Sequence, residues 1–260
     1  MVKSVRDLDV AGKRVLVRVD FNVPLDAQGC VTDDTRVRAA LPTLRLLRDS
    51  GARVILMSHL GRPAGKPVAK LSTEPAGAKL AELLDVDVLH TDDCIGWGAR
   101  KLAQDLPDGG VLLLENLRFH AGEEAGDPSF AEKLAELGDC YVSDAFGTLH
   151  RAHASVSVLP GLFKGKAAAG LLVDRELDKL GALMSKPGKP FVGVLGGAKV
   201  SDKMKVIEAL LKRVDVLLIG GAMAYTFLKA KGIETGSSRV EDDKLWLAKR
   251  IMERAHEMGV

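Results

Sequence analysis

The chain has 260 residues, of which 47% are hydrophobic and 28% charged, with a formal net charge of +2. This supplies a substantial core for one large domain or two ordinary ones, and the charge is too balanced to suggest a nucleic-acid or membrane-surface protein on charge alone. Three cysteines, Cys30, Cys94 and Cys140, are widely spaced with no CxxC and no nearby histidine pair, so neither a disulfide framework nor a zinc site is indicated.

The N-terminus MVKSVRDLDV lacks an apolar leader and no apolar run approaches the ~20 residues that span a bilayer, so the expectation is a soluble cytoplasmic protein. Arg14 to Pro24, RVLVRVDFNVP, then reads as a buried strand (Val15, Leu16, Val17, Val19) that turns polar at Asp20 and Asn22. In an open parallel sheet the carboxyl edge is where ligands bind, although Asp, Asn and Pro also cluster in turns for local reasons. Thr35 to Ser50 carries apolar residues at helical spacing, with Pro42 blurring its start. Gly51 closes that helix and RVILM, Arg53 to Met57, is a second buried strand, followed by Ser58-His59-Leu60-Gly61-Arg62-Pro63. The unit is β-α-β, and a right-handed crossover delivers both strand ends to the same edge.

The alternation continues with a helix over Ser72 to Leu84, a strand over Val86 to Leu89, a helix over Asp92 to Leu106 and a strand over Val111 to Leu114 that ends in Glu115-Asn116-Leu117-Arg118-Phe119. A helix near Pro128 to Leu137 and a strand at Cys140 to Ser143 follow, then a turn-rich run from Asp144 to His153 and a Gly- and Ala-rich connection. Leu171 to Met184 reads as a helix, either a connector between two α/β units or an ordinary crossover helix. The loop SKPGKP behind it marks a boundary. The second unit has strands at Phe191 to Leu195 and Asp215 to Ile219, and helices at Ser201 to Arg213, near Met223 to Lys231, and at Asp242 to Met258. Two parallel strands cannot bury both faces of a sheet, so this unit reads as cut off at Val260. The expected fold is therefore α/β, two Rossmann-like parallel-sheet units joined by a helix, with the second truncated: residues 1–170, a helix and linker at 171–190, and a partial domain at 191–260.

Positive groups gather at the predicted strand ends of the first unit: Arg36, His59, Arg62, Arg118, His150, Arg151 and His153. Arginine offers fixed donors and a permanent charge suited to carboxylate or phosphate oxygens, so the implied ligand is a small, multiply charged anion, unless these are ordinary surface arginines. In the second unit Gly196-Gly197-Ala198-Lys199-Val200-Ser201-Asp202-Lys203 follows a strand and opens a helix, where free N–H groups and two lysines would meet phosphoryl oxygens. It matches neither GxxxxGK[ST] nor GxGxxG, so a plain strand-to-helix turn stays open, while Gly220 and Gly221 at the next strand end favour a phosphate site. The histidines near Arg151 lack metal-site spacing and carboxylate partners, Ser58 and His59 lack a third group for a hydrolase triad, and Cys140 reads as core. A nicotinamide-dependent dehydrogenase is disfavoured because no GxGxxG follows the first strand.

Taken together, RVDFNVP, SHLGRP, ENLRF, SDAFGTLHRAHAS and GGAKVSDK, in this order and spacing over the whole chain, resemble the phosphoglycerate kinase family. The resemblance implies a two-domain glycolytic enzyme that moves a phosphoryl group between 1,3-bisphosphoglycerate and ADP, giving 3-phosphoglycerate and MgATP, by closure around the Leu171 to Met184 helix. By resemblance, Asp20 and Asn22 contact the glycerate hydroxyl and carboxylate, and Arg36, His59, Arg62, Arg118 and Arg151 form the basic patch. Arg36 looks like the residue that stabilises the transferring phosphoryl. Gly197, Ala198, Lys199 and Lys203 resemble the phosphate-side loop, with Lys199 and Lys203 as catalytic charges, and Gly220 and Gly221 resemble part of the adenosine site. His150 and His153 take a supporting role. The family continues well past Val260, where its Mg2+ ligand lies. The expectation is thus a monomer binding 3-phosphoglycerate or 1,3-bisphosphoglycerate and ADP or ATP, no nucleic acid and no membrane, with no metal ligand of its own and little or no turnover from these residues alone. The alternative is a non-catalytic anion-binding module that retains only the glycerate site.

Overall fold

Strand and helix alternate from β1 (Arg14–Val19) through α1 (Thr35–Asp49), β2 (Arg53–Met57), α2 (Glu74–Leu84), β3 (Val88–His90), α3 (Trp97–Asp105) and β4 (Val111–Leu113). The short α4 (Ala121–Ala125) and α5 (Pro128–Ala135) precede β5 (Cys140–Asp144), and a one-turn α6 (Leu159–Leu162) precedes β6 (Ala167–Ala169). α7 (Leu171–Ser185) leads to β7 (Val192–Gly196), α8 (Met204–Leu211), β8 (Val216–Gly220), α9 (Met223–Ala230) and α10 (Leu245–Glu257). The structure, a computed structural model, describes residues 2–185 and 187–260, so the predicted boundary loop SKPGKP lies partly outside the described residues. It divides into two compact units, Met1–Lys179 and Leu180–Val260, with the division inside α7.

The first unit holds a six-stranded sheet in the order β3-β4-β2-β1-β5-β6, with every neighbouring pair parallel. The near-continuous apolar character of the central strands follows from burial on both faces. On one face Val15, Val17, Val54, Leu56 and Val142 pack with Leu44 and Leu47 of α1 and Leu80 of α2. The alternate residues Leu16, Ile55, Met57, Leu112 and Tyr141 face the other way, against Ala99 of α3 and Leu134 of α5. Register pairs Val17 with Leu56 on one side and with Val142 on the other, so the polar residues after β1, β2, β4 and β5 emerge at one edge. The α/β class with parallel sheets is as the sequence predicts.

Several details differ from the periodicity. α1 runs unbroken through Pro42, which lies on the exposed side of the helix, where water can satisfy the carbonyl that the proline leaves unbonded. Thr73 ahead of α2 and Asp92 to Gly96 ahead of α3 lie outside their helices. The connection after β5 contains a π-helical turn at Ala154–Val158, α6, and the edge strand β6, which pairs with β5 from Tyr141↔Ala167 to Ser143↔Ala169. Along α7 only Val173 is buried, although five leucines follow a helical pattern.

In the second unit β7 and β8 pair in parallel from Val192↔Val216 to Gly196↔Gly220. One face of this ribbon carries a core of Val200, Ile207, Leu211, Met223, Phe227 and Ile251. On the other face Val194 is 77% exposed and Leu218 52%.

Candidate active site at the carboxyl edge of the sheets

Because β1, β2, β4 and β5 end together, short polar segments from four separated parts of the chain meet. Asp20 Oδ2 accepts from Arg36 Nη1 at 2.7 Å, and Asp20 Oδ1 is 4.0 Å from His59 Nδ1. Asn22 Oδ1 accepts from the Gly61 N–H at 2.8 Å, and the Gly61 carbonyl accepts from Arg118 Nη1 at 2.8 Å. Gly61 thus links Asn22 to Arg118, and its φ of +61° suits a residue without a β-carbon. Behind them the buried Asn116 accepts from the Arg118 N–H and donates to the Leu60 and Leu71 carbonyls, fixing the turn that carries Arg118.

The centre of this cluster is a residue absent from the predicted set. Arg18, the fifth residue of β1, is 1% exposed and shares its face of the strand with Leu16. It donates to Ser155 Oγ at 2.9 Å and to the Val19 carbonyl, and its Nη2 lies 3.2 Å from His59 Nδ1. A guanidinium only donates, so His59 Nδ1 must accept and the ring's proton sits on Nε2. Burial, reinforced by Arg18, Arg118, Arg151 and His153, pushes the His59 pKa down to about 2, so the ring is neutral at any ordinary pH. Glu123, also fully buried, accepts from the Ser155 N–H at 2.9 Å and hydroxyl at 2.6 Å and lies 3.8 Å from His153 Nδ1. A carboxylate therefore does stand by His153, brought there by tertiary packing and not by sequence spacing.

The guanidiniums of this edge are under-satisfied. Arg118 is 4% exposed, with Glu124 3.3 Å from its Nε as a charge partner outside hydrogen-bonding geometry. Buried Nε atoms of both Arg118 and Arg151 have no acceptor among the described residues. Burial lowers the Arg118 pKa; Glu124 opposes this, while Arg151 and Arg18 reinforce it. Arg36 is exposed with Asp20 as its partner, Arg62 is exposed next to Gly61, and His150 is exposed.

In the second unit the glycine-lysine loop is built as a close backbone approach. Gly221 has φ +72°, and a β-carbon there would lie 2.8 Å from the Gly197 carbonyl oxygen, to which Met223 N–H also donates at 2.9 Å. The stem of Lys203 lies against Gly197, 3.6 Å from where its β-carbon would be, and Lys199 is exposed. Two of the N–H groups expected to be free at this helix start are engaged within the chain. Glu241 accepts from the N–H groups of Val200 (2.5 Å) and Ser201 (3.3 Å) and from the Ser201 hydroxyl (2.7 Å), and α8 begins only at Met204 after a short helical turn. Glu241 is itself fixed by its N–H donating to Thr226 Oγ1 at 3.1 Å. It lines a cleft of about 600 Å³ with Ala198, Lys199, Ser201 and Arg239. Asp242 and Asp243, beside it, are paired with Lys229 and Lys244 at 2.7 Å each.

These features define a parallel-sheet α/β protein with a buried, under-satisfied arginine cluster on one unit and a glycine-lysine loop on the other. A family model described as phosphoglycerate kinase matches residues 5–260. The chain is 58% identical over 261 residues to a phosphoglycerate kinase of Anaeromyxobacter sp. (strain K), covering 100% of this chain and 66% of the relative, and 53% identical to one of Chlorobium phaeovibrioides, covering 99% and 65%. Among solved structures, phosphoglycerate kinase from Coxiella burnetii superposes with a TM-score of 0.87 at 38% identity, covering 100% of this chain and 65% of that one. The enzyme from Pyrococcus horikoshii OT3 gives 0.79 at 34% identity, covering 99% and 64%. The chain belongs to the phosphoglycerate kinase family, and spans about two thirds of the length of the relatives it matches.

Proposed function

We propose that the chain serves phosphoglycerate kinase chemistry, the reversible transfer of a phosphoryl group between 1,3-bisphosphoglycerate and ADP to give 3-phosphoglycerate and ATP. The observation that carries this reading is the pair of buried Arg118 and Arg151 Nε–H groups without acceptors among the described residues, grouped around a neutral His59. Buried donors of this kind are satisfied by a ligand, and guanidiniums match carboxylate and phosphate oxygens. With Asn22 Oδ1 held by Gly61, its amide nitrogen is left to donate to a substrate carboxylate, and His59 Nε2–H is a second neutral donor. Asp20 accepts from the glycerate hydroxyl, and Arg36, Arg62, Arg118 and Arg151 hold the anionic ends. On the second unit Lys199 and Lys203 meet the nucleotide phosphates, with Gly197, Ala198, Gly220 and Gly221 allowing close approach.

Phosphoryl transfer needs little covalent help and depends on in-line positioning and on cations around the equatorial oxygens. Arg36, Lys199 and Lys203 are the charges for that role, and transfer requires the two substrates to meet by closure of one unit on the other. Of the carboxylates at the loop and its cleft, Glu241, Asp242 and Asp243 are engaged, while Asp202 is exposed with no ion-pair partner among the described residues, so magnesium, which binds through nucleotide phosphates plus one or two carboxylates, meets at most one free carboxylate there. It enters as part of the nucleotide complex, and turnover by these 260 residues alone is little or none.

Calorimetric titration of 3-phosphoglycerate and MgADP separately, with a coupled ATP-forming assay, tests the reading. Saturable 3-phosphoglycerate binding that falls at least about tenfold in Arg118→Gln supports it. Absence of binding, or binding indifferent to that substitution, would overturn the site, and normal turnover would overturn the magnesium argument.

A further inference from the structure

A second cluster of chemically competent side chains lies outside everything used above. Asp93 and Cys94 sit in the connection between β3 and α3, and His120 follows the turn Leu117–Phe119 that leaves β4, the neighbour of β3 in the sheet. One donor atom from each lies within 4.8 Å of the others, with His120 Nε2 2.7 Å from Asp93 Oδ1. Sequence spacing excludes a site here, because 25 residues separate Cys94 from His120; the pairing of β3 with β4 brings them together.

Each donor is fixed by its own device. The Cys94 N–H donates to Asp93 Oδ1 at 2.7 Å, and Thr91 Oγ1 donates to the Asp93 carbonyl at 2.6 Å. The imidazole of His120 stacks on Phe130 with ring centroids 5.2 Å apart. Gly96 leaves the Asp93 carboxylate its position, since a β-carbon there would lie 2.8 Å from Oδ2. Cys94 is 1% exposed, while the side chains of Asp93 and His120 are 39% and 31% exposed, so the cluster opens to solvent on one side and ends on a buried sulfur.

We propose that Asp93, Cys94 and His120 bind a divalent transition-metal ion of the zinc class, with water in the remaining position. A thiolate, an imidazole and a carboxylate form a mixed set that favours a borderline-soft ion, whereas Mg2+ and Ca2+ prefer oxygen alone. On binding, the thiol proton leaves to solvent, the His120 ring gives up the Nε2 proton that it donates to Asp93 and carries its one proton on Nδ1, and the direct imidazole–carboxylate contact gives way to one bond from each group to the ion. The ion would tie the β3–α3 connection to the turn that carries Arg118, so its effect on the anion site is through positioning.

The test uses the untagged full chain in a Cys30→Ser background, which removes the exposed thiol, kept reduced and metal-free, with Co2+ as the probe. The expected result is one equivalent of Co2+ giving thiolate-to-cobalt absorption in the near ultraviolet with tetrahedral visible bands, displaced by Zn2+ and unaffected by excess Mg2+. His120→Gln, at a partly exposed position, should weaken Co2+ binding at least about tenfold, and Cys94→Ser should abolish the thiolate band. No thiolate band in the parent, a band that survives Cys94→Ser, or unchanged affinity in His120→Gln would each overturn the proposal. Should Cys94→Ser fail to fold, the parent spectrum and His120→Gln decide alone.

Discussion

Asp144 at the end of β5 should make the first unit less stable as pH rises from about 4 to about 6. Its side chain is buried, 1% exposed as a residue, and Oδ1 accepts from the Leu172 and Val173 N–H groups at the start of α7, while Oδ2 has no partner among the described residues. Burial is the dominant influence and raises its pKa to about 6, only partly offset by the bonds from Thr43, Val173 and Leu172. An acid whose folded-state pKa lies above its unfolded value contributes most below the unfolded value, near 3.9, and that contribution is lost as pH rises through the folded value. Between these limits the loss is about 1.4 kcal/mol per pH unit, or about 2 kcal/mol from pH 4.5 to 7.5.

The total stability curve hides this effect. His59, with a pKa pushed down to about 2, works in the opposite sense: below its ordinary value the unfolded chain takes up a proton that the folded ring refuses, so stability falls as pH falls. The difference between the parent and Asp144→Asn cancels the His59 contribution and isolates Asp144. The amide oxygen still accepts from the helix N–H groups but does not ionise. Urea unfolding followed by far-ultraviolet circular dichroism at several pH values should show the Asp144→Asn variant gaining about 2 kcal/mol relative to the parent between pH 4.5 and 7.5. Parallel profiles, with a difference independent of pH, would refute the argument.

Other outcomes follow from the second unit. Glu241→Ala removes the acceptor for two backbone N–H groups and a hydroxyl at the glycine-lysine loop; it should cost about 1 kcal/mol in urea unfolding and weaken MgADP binding in the same calorimetric titration. Gly221→Ala combines a positive φ with a β-carbon 2.8 Å from the Gly197 backbone, so MgADP binding should be lost while 3-phosphoglycerate binding on the first unit persists. Amide exchange should be much faster in β7, where Val194 is 77% exposed, than in β1, whose Val15, Leu16, Val17 and Val19 are fully buried. Equal protection in the two strands would contradict that ordering.

The sheet was legible because parallel strands buried on both faces leave long apolar runs, and because each run ended in residues that cannot continue it. RVLVRV, RVILM and CYVSD needed only period and punctuation. β6 was illegible for the converse reason: Ala167–Ala169 has low strand preference, and its pairing with Tyr141 to Ser143 is a tertiary fact. Glu241 carried no local signal either, since it caps a loop 40 residues away.

Arg18 is the instructive omission, because the sequence did contain its signal. The reading that made Val17 and Val19 a buried strand also placed residue 18 inside a sheet covered on both faces, where an arginine cannot reach water. A charge in that position needs acceptors or a neutral partner that it polarises, and both are present: the Val19 carbonyl and Ser155 hydroxyl accept, and His59 is held as a neutral acceptor. The surface-facing arginines were the easier inference because Arg36 opens α1 on an exposed face and Arg62 sits in a polar turn. The buried one sets the tautomer of His59, so that the ring's proton is held on Nε2.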